Sequence, residues 1–279
     1  MNLKMIFMLF FLSIYIFPGI VEAEFRPQKY ICYRAPGPII IDGKISEGAW
    51  KYAEFSGLFV DIQGDRKPLP YYATRVKMLW DDDYMYFAAD MEEPDVWGNL
   101  TKKDSGICAE NDFEIFIDPD NDGIEYYEFE ISPLNGVLDL LLPVAFKSMW
   151  RGKTNDHSWD INGLKTAVYV DGTLNCFHDI DRGWSVEVAW PMKSLAEYAH
   201  AISVPPKNHD QWRVNFSRVE YIRDTESKEL RKKPNTIPCC ENWVWSSMEI
   251  LEMHWPEMWG IVEFSTSIAG SSPHDINPR

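Results

Sequence analysis

Positive charge is scarce in this 279-residue chain: 27 Lys and Arg face 43 Asp and Glu, a net charge of −16. Such a surface repels phosphate, which argues against nucleic acid and anionic membranes as partners and leaves neutral glycans and divalent cations. Cysteine is sparse and patternless. Cys32, Cys108, Cys176, Cys239 and Cys240 are odd in number and lack repeated spacing, so they do not describe a disulfide framework. Without Cys-x-x-Cys or paired histidines they do not describe a zinc site either, and they read as small half-buried residues. The six histidines are scattered. A glycine-rich phosphate loop and a Ser or Cys nucleophile motif are missing. So are internal repeats and a Pro- or Ser-rich linker, which leaves one domain.

Apolar residues run together only from Met5 to Phe17, behind Lys4 and ahead of Pro18-Gly19. With Val21-Glu22-Ala23 offering a small-residue cleavage point, residues 1–23 read as a secretory signal peptide. A secreted, periplasmic or cell-surface protein with no membrane span after cleavage is expected. The run is somewhat short for a bilayer, and no cysteine follows directly for a lipid anchor.

What the chain has in quantity is aromatic residues, 14% of the total and including twelve Trp, together with short alternating segments. Thr74, Val76, Met78 and Trp80 alternate with Arg75 and Lys77, and Trp184, Val186, Val188 and Trp190 with Ser185 and Glu187. This period of two marks half-buried strands. Met192 to Ala201 is the one good helix candidate after the leader. The expected fold is all-β: an antiparallel β-sandwich, immunoglobulin-like or jelly-roll-like, over residues 24–268, with long loops at 91–111 and 146–163 and a loose tail at 269–279. Trp50, Trp80, Trp184, Trp190 and Trp212 fall in packing patterns, whereas Trp97, Trp150, Trp159 and Trp255 fall in loops, where binding residues gather.

The most informative stretch is Asn111-Asp112-Phe113-Glu114-Ile115-Phe116-Ile117-Asp118-Pro119, joined through Asp120-Asn121-Asp122-Gly123 to Tyr126-Tyr127-Glu128-Phe129-Glu130-Ile131. Phe113, Ile115 and Ile117 should face the core, and Glu114, Phe116 and Asp118 the other side. A carboxylate flanked by aromatics on a non-core face suits sugar, because carboxylates accept paired hydroxyl hydrogen bonds and aromatic faces stack on pyranose C–H groups. Asp118-x-Asp120-x-Asp122-Gly123 resembles the start of a calcium loop, but Phe129 at the twelfth position excludes a true EF-hand.

This hairpin resembles the motif of family 9 carbohydrate-binding modules. Ile41-Asp42-Gly43-Lys44-Ile45-Ser46-Glu47-Gly48-Ala49-Trp50 is similar to that family's opening, and Val76 to Tyr86 to its first long hairpin. Trp184 to Pro191 and His254 to Gly260 follow in the same order. The resemblance implies a non-catalytic module, working beside glycoside hydrolases in polysaccharide breakdown. It grips a terminal sugar between two Trp rings. By motif, Glu114 is the sugar-binding glutamate and Trp255 one clamp Trp, with His254 its rival. The other clamp position holds Cys108, so Trp97 is expected to fill that role. The strand-arginine position holds Glu130, so Arg218 is expected to supply the guanidinium. The resemblance also implies structural calcium, for which Asp118, Asp120 and Asp122 are the candidates.

Three other readings remain open. A sandwich of this fold without sugar affinity would be an interaction module. A glycosidase would need Glu114 paired with Glu128 or Glu130 across a scissile bond. A haem-binding sandwich would use Met78, Met85, Met91 or His157.

Overall fold

Alternating apolar residues predict strands, and a computed structural model of the chain places twelve among the residues it describes, 26–271 apart from 47, 144–157, 201 and 225–239. The leader, the tail from 272, Trp150, His157 and Cys239 lie outside these residues. In chain order the strands are β1 Lys29–Arg34, β2 Val60–Asp61, β3 Thr74–Trp80, β4 Tyr84–Glu92, β5 Asp112–Asp118, β6 Tyr126–Ile131, β7 Val137–Leu142, β8 Lys165–Asp171, β9 Gly183–Pro191, β10 Gln211–Glu220, β11 Glu241–Val244 and β12 Gly260–Ile268.

The strands run in the order β7-β6-β5-β10-β12-β1-β3-β4-β9-β8, with β11 and β2 paired outside this path. This one sheet curls until its two halves face each other as a sandwich. Phe87 on β4 meets Phe216 on β10 at 5.8 Å between ring centroids, and Trp190 on β9 meets Phe129 on β6 at 5.9 Å. Phe113, Ile115 and Ile117 point into this core, as their alternation predicts. Trp50, Trp80, Trp184, Trp190 and Trp212 are all buried. Met78, Met85 and Met91 are core residues as well. Cys32, Cys108 and Cys176 form no disulfide.

Three features differ from expectation. The sheet is not wholly antiparallel, because β1 pairs in parallel with both β12 and β3. The helix expected over 192–201 is a single turn, Met192–Leu195. The side of β5 opposite the core is also largely covered. Phe116 packs there with Tyr126, Leu138, Leu140, Met253 and Trp259 in a second apolar cluster. No helix among the described residues is long and apolar enough to cross a membrane.

A third cluster closes the outer face of β3, β4 and β9. Trp50 and Ala49 pack on Leu79, Tyr86, Ala88 and Ala189. Glu187 of β9 pins this segment: Oε1 accepts from Trp50 Nε1 at 2.6 Å, and Oε2 from the amides of Asp42 and Gly43 at 2.7 Å each. Gly43 sits at φ +85, and a Cβ there would collide with the β8 backbone at Tyr169. The Asp42-Gly43 turn therefore needs glycine.

Candidate functional site

Arg218 comes from β10, where alternation puts it on the core side at the end of the sandwich. A guanidinium has five N–H donors, and all five are used here. Nε and Nη2 reach Glu220 at 3.2 and 2.8 Å, Nη2 also reaches Glu93 at 2.9 Å, and Nη1 reaches Thr74 Oγ1 and the Glu92 carbonyl at 3.0 and 2.8 Å. Arg218 is 1% exposed and also lies over the Tyr72 and Trp243 rings. Asn111 adds a hydrogen bond to Glu220 at 2.8 Å. Arg218 thus has no donor left for a hydroxyl. The expectation that it reads sugar gives way to an anchoring role, because two buried carboxylates already consume its charge. Burial and the neighbouring Glu220 push Glu93 up to about 9, against the opposing pull of Arg218.

Beside this anchor, at the end of the sandwich, is a cavity of 230 Å³ lined by Tyr71, Tyr72, Trp97, Tyr221, Ile222 and four charged residues, Glu93, Asp95, Glu220 and Arg223. Tyr71 is half exposed and stands edge-on to Tyr72 and Trp243, at 4.6 and 4.8 Å. Trp97 is 1% exposed, and its Nε1 has no hydrogen-bond partner. It forms part of the cavity wall rather than a projecting clamp. Arg223 is held by Asp95 through two bonds of 2.7 and 2.9 Å. Sequence reasoning missed Tyr71, Tyr72 and Tyr221 because they lie in or beside loops with no periodic signal. Only their aromatic density marks them.

Glu114 lies on the opposite, outer face, in register with Glu130 across the β5–β6 ladder. Asp112, Glu114, Glu128 and Glu130 are all buried together there. Desolvation, with the charge of Glu130 behind it, pushes Glu114 up to about 8, although a hydrogen bond from Ser217 opposes the shift. Burial likewise raises Glu130 to about 7, against hydrogen bonds from Cys108. Cys108 donates its amide to Glu130 at 2.8 Å and receives the Tyr221 hydroxyl on its carbonyl at 3.2 Å, linking this face to the end cavity.

Trp255 is half-buried at the edge of the second apolar cluster and is not part of the cavity lining. Its rival His254 packs between Phe116 and Tyr126. The four expected sugar residues therefore separate: Trp97 and Arg218 at the end cavity, Glu114 on the outer face, Trp255 farther along that face.

In the β5–β6 turn, Asp118 accepts the amides of Asn121 and Gly123 at 3.0 Å each, Asp122 that of Ile124, and Asp120 that of His200. One oxygen from each of Asp118, Asp120 and Asp122 lies within 4.8 Å of the others. Burial, with Asp120 and Asp122 adding to it, pushes Asp118 up to about 7 despite its backbone bonds. An all-carboxylate donor set in which Asp120 and Asp122 still oppose the charge of Asp118 fits a hard cation such as calcium.

The fold defines a β-sandwich domain with an aromatic cavity at one end and an acidic outer face. By sequence, residues 41–135 match the family described as carbohydrate family 9 binding domain-like. Endo-1,4-beta-xylanase A of Thermoanaerobacterium saccharolyticum is 34% identical over 159 residues, 57% of this chain and 11% of that protein. Exoglucanase XynX of Acetivibrio thermocellus is 30% identical over 159 residues, 57% of this chain and 12% of that protein. The chain thus spans about a tenth of the length of these curated relatives. Among solved structures, a carbohydrate-binding module family 9 domain from Caldicellulosiruptor kristjanssonii in complex with cellotriose aligns with a TM-score of 0.54 and 16% identity, over 90% of this chain and 99% of that one. The same organism's module in complex with glucose aligns with a TM-score of 0.54 and 16% identity, over 88% and 100%. The family 9 resemblance read from the motifs holds: in sequence across 41–135, and in fold across most of the chain.

Proposed function

We propose that the chain is a non-catalytic carbohydrate-binding module, exported by its leader and acting beside glycoside hydrolases in polysaccharide breakdown. The observation that carries this reading is the end cavity, where three tyrosines and Trp97 stand beside Asp95, Glu220 and Arg223. Aromatic walls offer stacking surface to a pyranose, and charged rims offer strong hydroxyl hydrogen bonds. A space of 230 Å³ suits a single ring, such as the end of a glycan chain. The match of 41–135 and the relatives' bound sugars support the same reading.

Catalysis is disfavoured by the state of the carboxylates. Glu93 and Glu220 are hydrogen-bonded to each other and to Arg218. Hydrolysis instead needs two carboxyl groups roughly 5 to 10 Å apart, flanking a scissile bond.

Tyr71→Ala should weaken oligosaccharide binding about tenfold, since losing one stacked aromatic costs on the order of 1–2 kcal/mol. Its melting temperature should stay within a few degrees of the parent, because Tyr71 is half exposed. Trp255→Ala is the companion. Binding that survives Tyr71→Ala and is lost in Trp255→Ala, with the fold intact, would move the sugar to the outer face.

Calcium in the 118–123 turn belongs to the same reading, as a structural ion. It is supported by the three convergent carboxylates and by the burial of Asp118. Chelation at neutral pH should lower the melting temperature by several degrees, and added calcium should restore it by mass action. An unchanged melting curve in chelator would return the turn to a plain hydrogen-bonded connection.

A further inference from the structure

The other acid clusters among the described residues come with their own counter-charge or donors. Glu93 and Glu220 share Arg218. Asp104, Asp139 and Asp160 converge on Lys103. The 118–123 turn is wrapped in backbone amides, with His200 bonded to Glu125 beside it. The cluster on the outer face of β5 and β6 differs in being buried at all three residues and in leaving Asp112 Oδ2 without a donor. Among the described residues, the groups bonded to Asp112, Glu114 and Glu130 carry no positive charge: the amides of Val219 and Cys108, the Ser217 hydroxyl, the Cys108 thiol and the Glu128 carboxyl. No Lys, Arg or His side chain among the described residues joins them.

The geometry is specific. Glu114 and Glu130 are directly opposed in the ladder, where two like charges repel. Asp112 lies two residues before Glu114 on the same face and is fully buried. Its Oδ1 takes the Val219 amide at 3.3 Å, while its Oδ2 is buried with no hydrogen-bond partner. An orphaned buried carboxylate oxygen is costly and points to a missing positive partner. One oxygen from each of the three residues lies within 4.8 Å of the others. A calcium ion with bonds of about 2.3–2.6 Å can span that spread, and it prefers all-oxygen shells completed by carbonyls or water.

We propose that Asp112, Glu114 and Glu130 form a binding site for a hard divalent cation of the calcium type, on the outer face of the sheet. The ion occupies the position of the missing counter-charge, takes up the orphaned Asp112 oxygen, and converts the Glu114–Glu130 repulsion into shared coordination. Glu128, buried alongside, hydrogen-bonds Glu130, and burial pushes its own carboxyl well above the usual range. The site is distinct from the 118–123 turn, because Asp112 and Asp118 stand six residues apart on β5, about 20 Å along an extended strand. It does not depend on whether the chain binds sugar.

Calorimetric titration of calcium chloride into the calcium-stripped full chain tests it. An Asp118→Asn/Asp120→Asn background first removes the turn as a contributor. One equivalent of calcium should still bind in that background. Adding Glu114→Gln/Glu130→Gln, which keeps shape while removing charge, should weaken that equivalent at least a hundredfold. If the combined variant does not fold, Asp112→Asn alone in the parent should abolish one of its binding events and leave the other. No calcium bound to the turn variant overturns the proposal, as does calcium bound equally well after loss of Glu114 and Glu130 or of Asp112.

Discussion

Arg218→Ala is expected to lower stability by about 3–5 kcal/mol, the range for removing one partner of a buried ion pair. For a domain of this size that is a fall of roughly 10 °C or more in melting temperature. The cost arises less from lost attraction than from what remains: Glu93 and Glu220, buried at 3% and 4% exposure, facing each other without a cation. Two companions isolate the cause. Arg218→Met with Glu93→Gln and Glu220→Gln removes the charges together and should recover most of the loss, since a buried ionic group replaced whole by neutral residues of similar volume is often tolerated. Arg218→Lys should fall between, because one ammonium cannot reproduce five directed donors. Thermal melts of the four proteins decide the matter. Equal destabilisation by Arg218→Ala and the triple variant would mean that packing, not uncompensated charge, sets the cost.

Glu187→Ala is expected to cost about 3 kcal/mol, through two buried donors left without an acceptor. One is Trp50 Nε1, the other the Gly43 amide; the Asp42 amide is nearer solvent. A local readout separates this from general loss of packing. Hydrogen exchange should accelerate first at residues 42–50, because the carboxylate is their tether to β9, while the amides of β5 and β10 stay protected. Glu187→Gln should lie between parent and alanine, since its single carbonyl oxygen replaces two carboxylate oxygens. Uniform acceleration across both halves of the sandwich would contradict the tether.

Much of this architecture is legible in the sequence because period-2 alternation is a local signal. The β5–β6 hairpin, β3 with β4, and β9 emerge close to the positions their patterns predict, and the five strand or plug Trp are buried as expected. What escapes is non-local. Nothing in Lys29–Arg34 says that it pairs in parallel with both β12 and β3, since pairing direction is fixed by chain path rather than composition. The cover over Phe116 comes from residues near 253–259, more than a hundred positions away, so alternation alone predicted a more open face. Arg218 looked available because its partners Glu93 and Thr74 lie on distant segments. Trp97 looked exposed because it sits in a loop, yet loops that fold over a sandwich end bury their aromatics too. Alternation located the correct face for Glu114, but it could not reveal that Asp112, Glu128 and Glu130 would be enclosed beside it without a bonded basic side chain among the described residues.

The central claim is that the chain holds sugar without breaking it, and a glycan array probed with the full chain tests it most directly, paired with a reducing-sugar assay on every glycan bound. The account predicts saturable binding to one class of oligosaccharide, weakened about tenfold by Tyr71→Ala, with no reducing sugar released by parent or variant. Absence of binding across the array would leave a sandwich that serves as an interaction module, and release of reducing sugar by the parent would make it an enzyme. Either result contradicts the account.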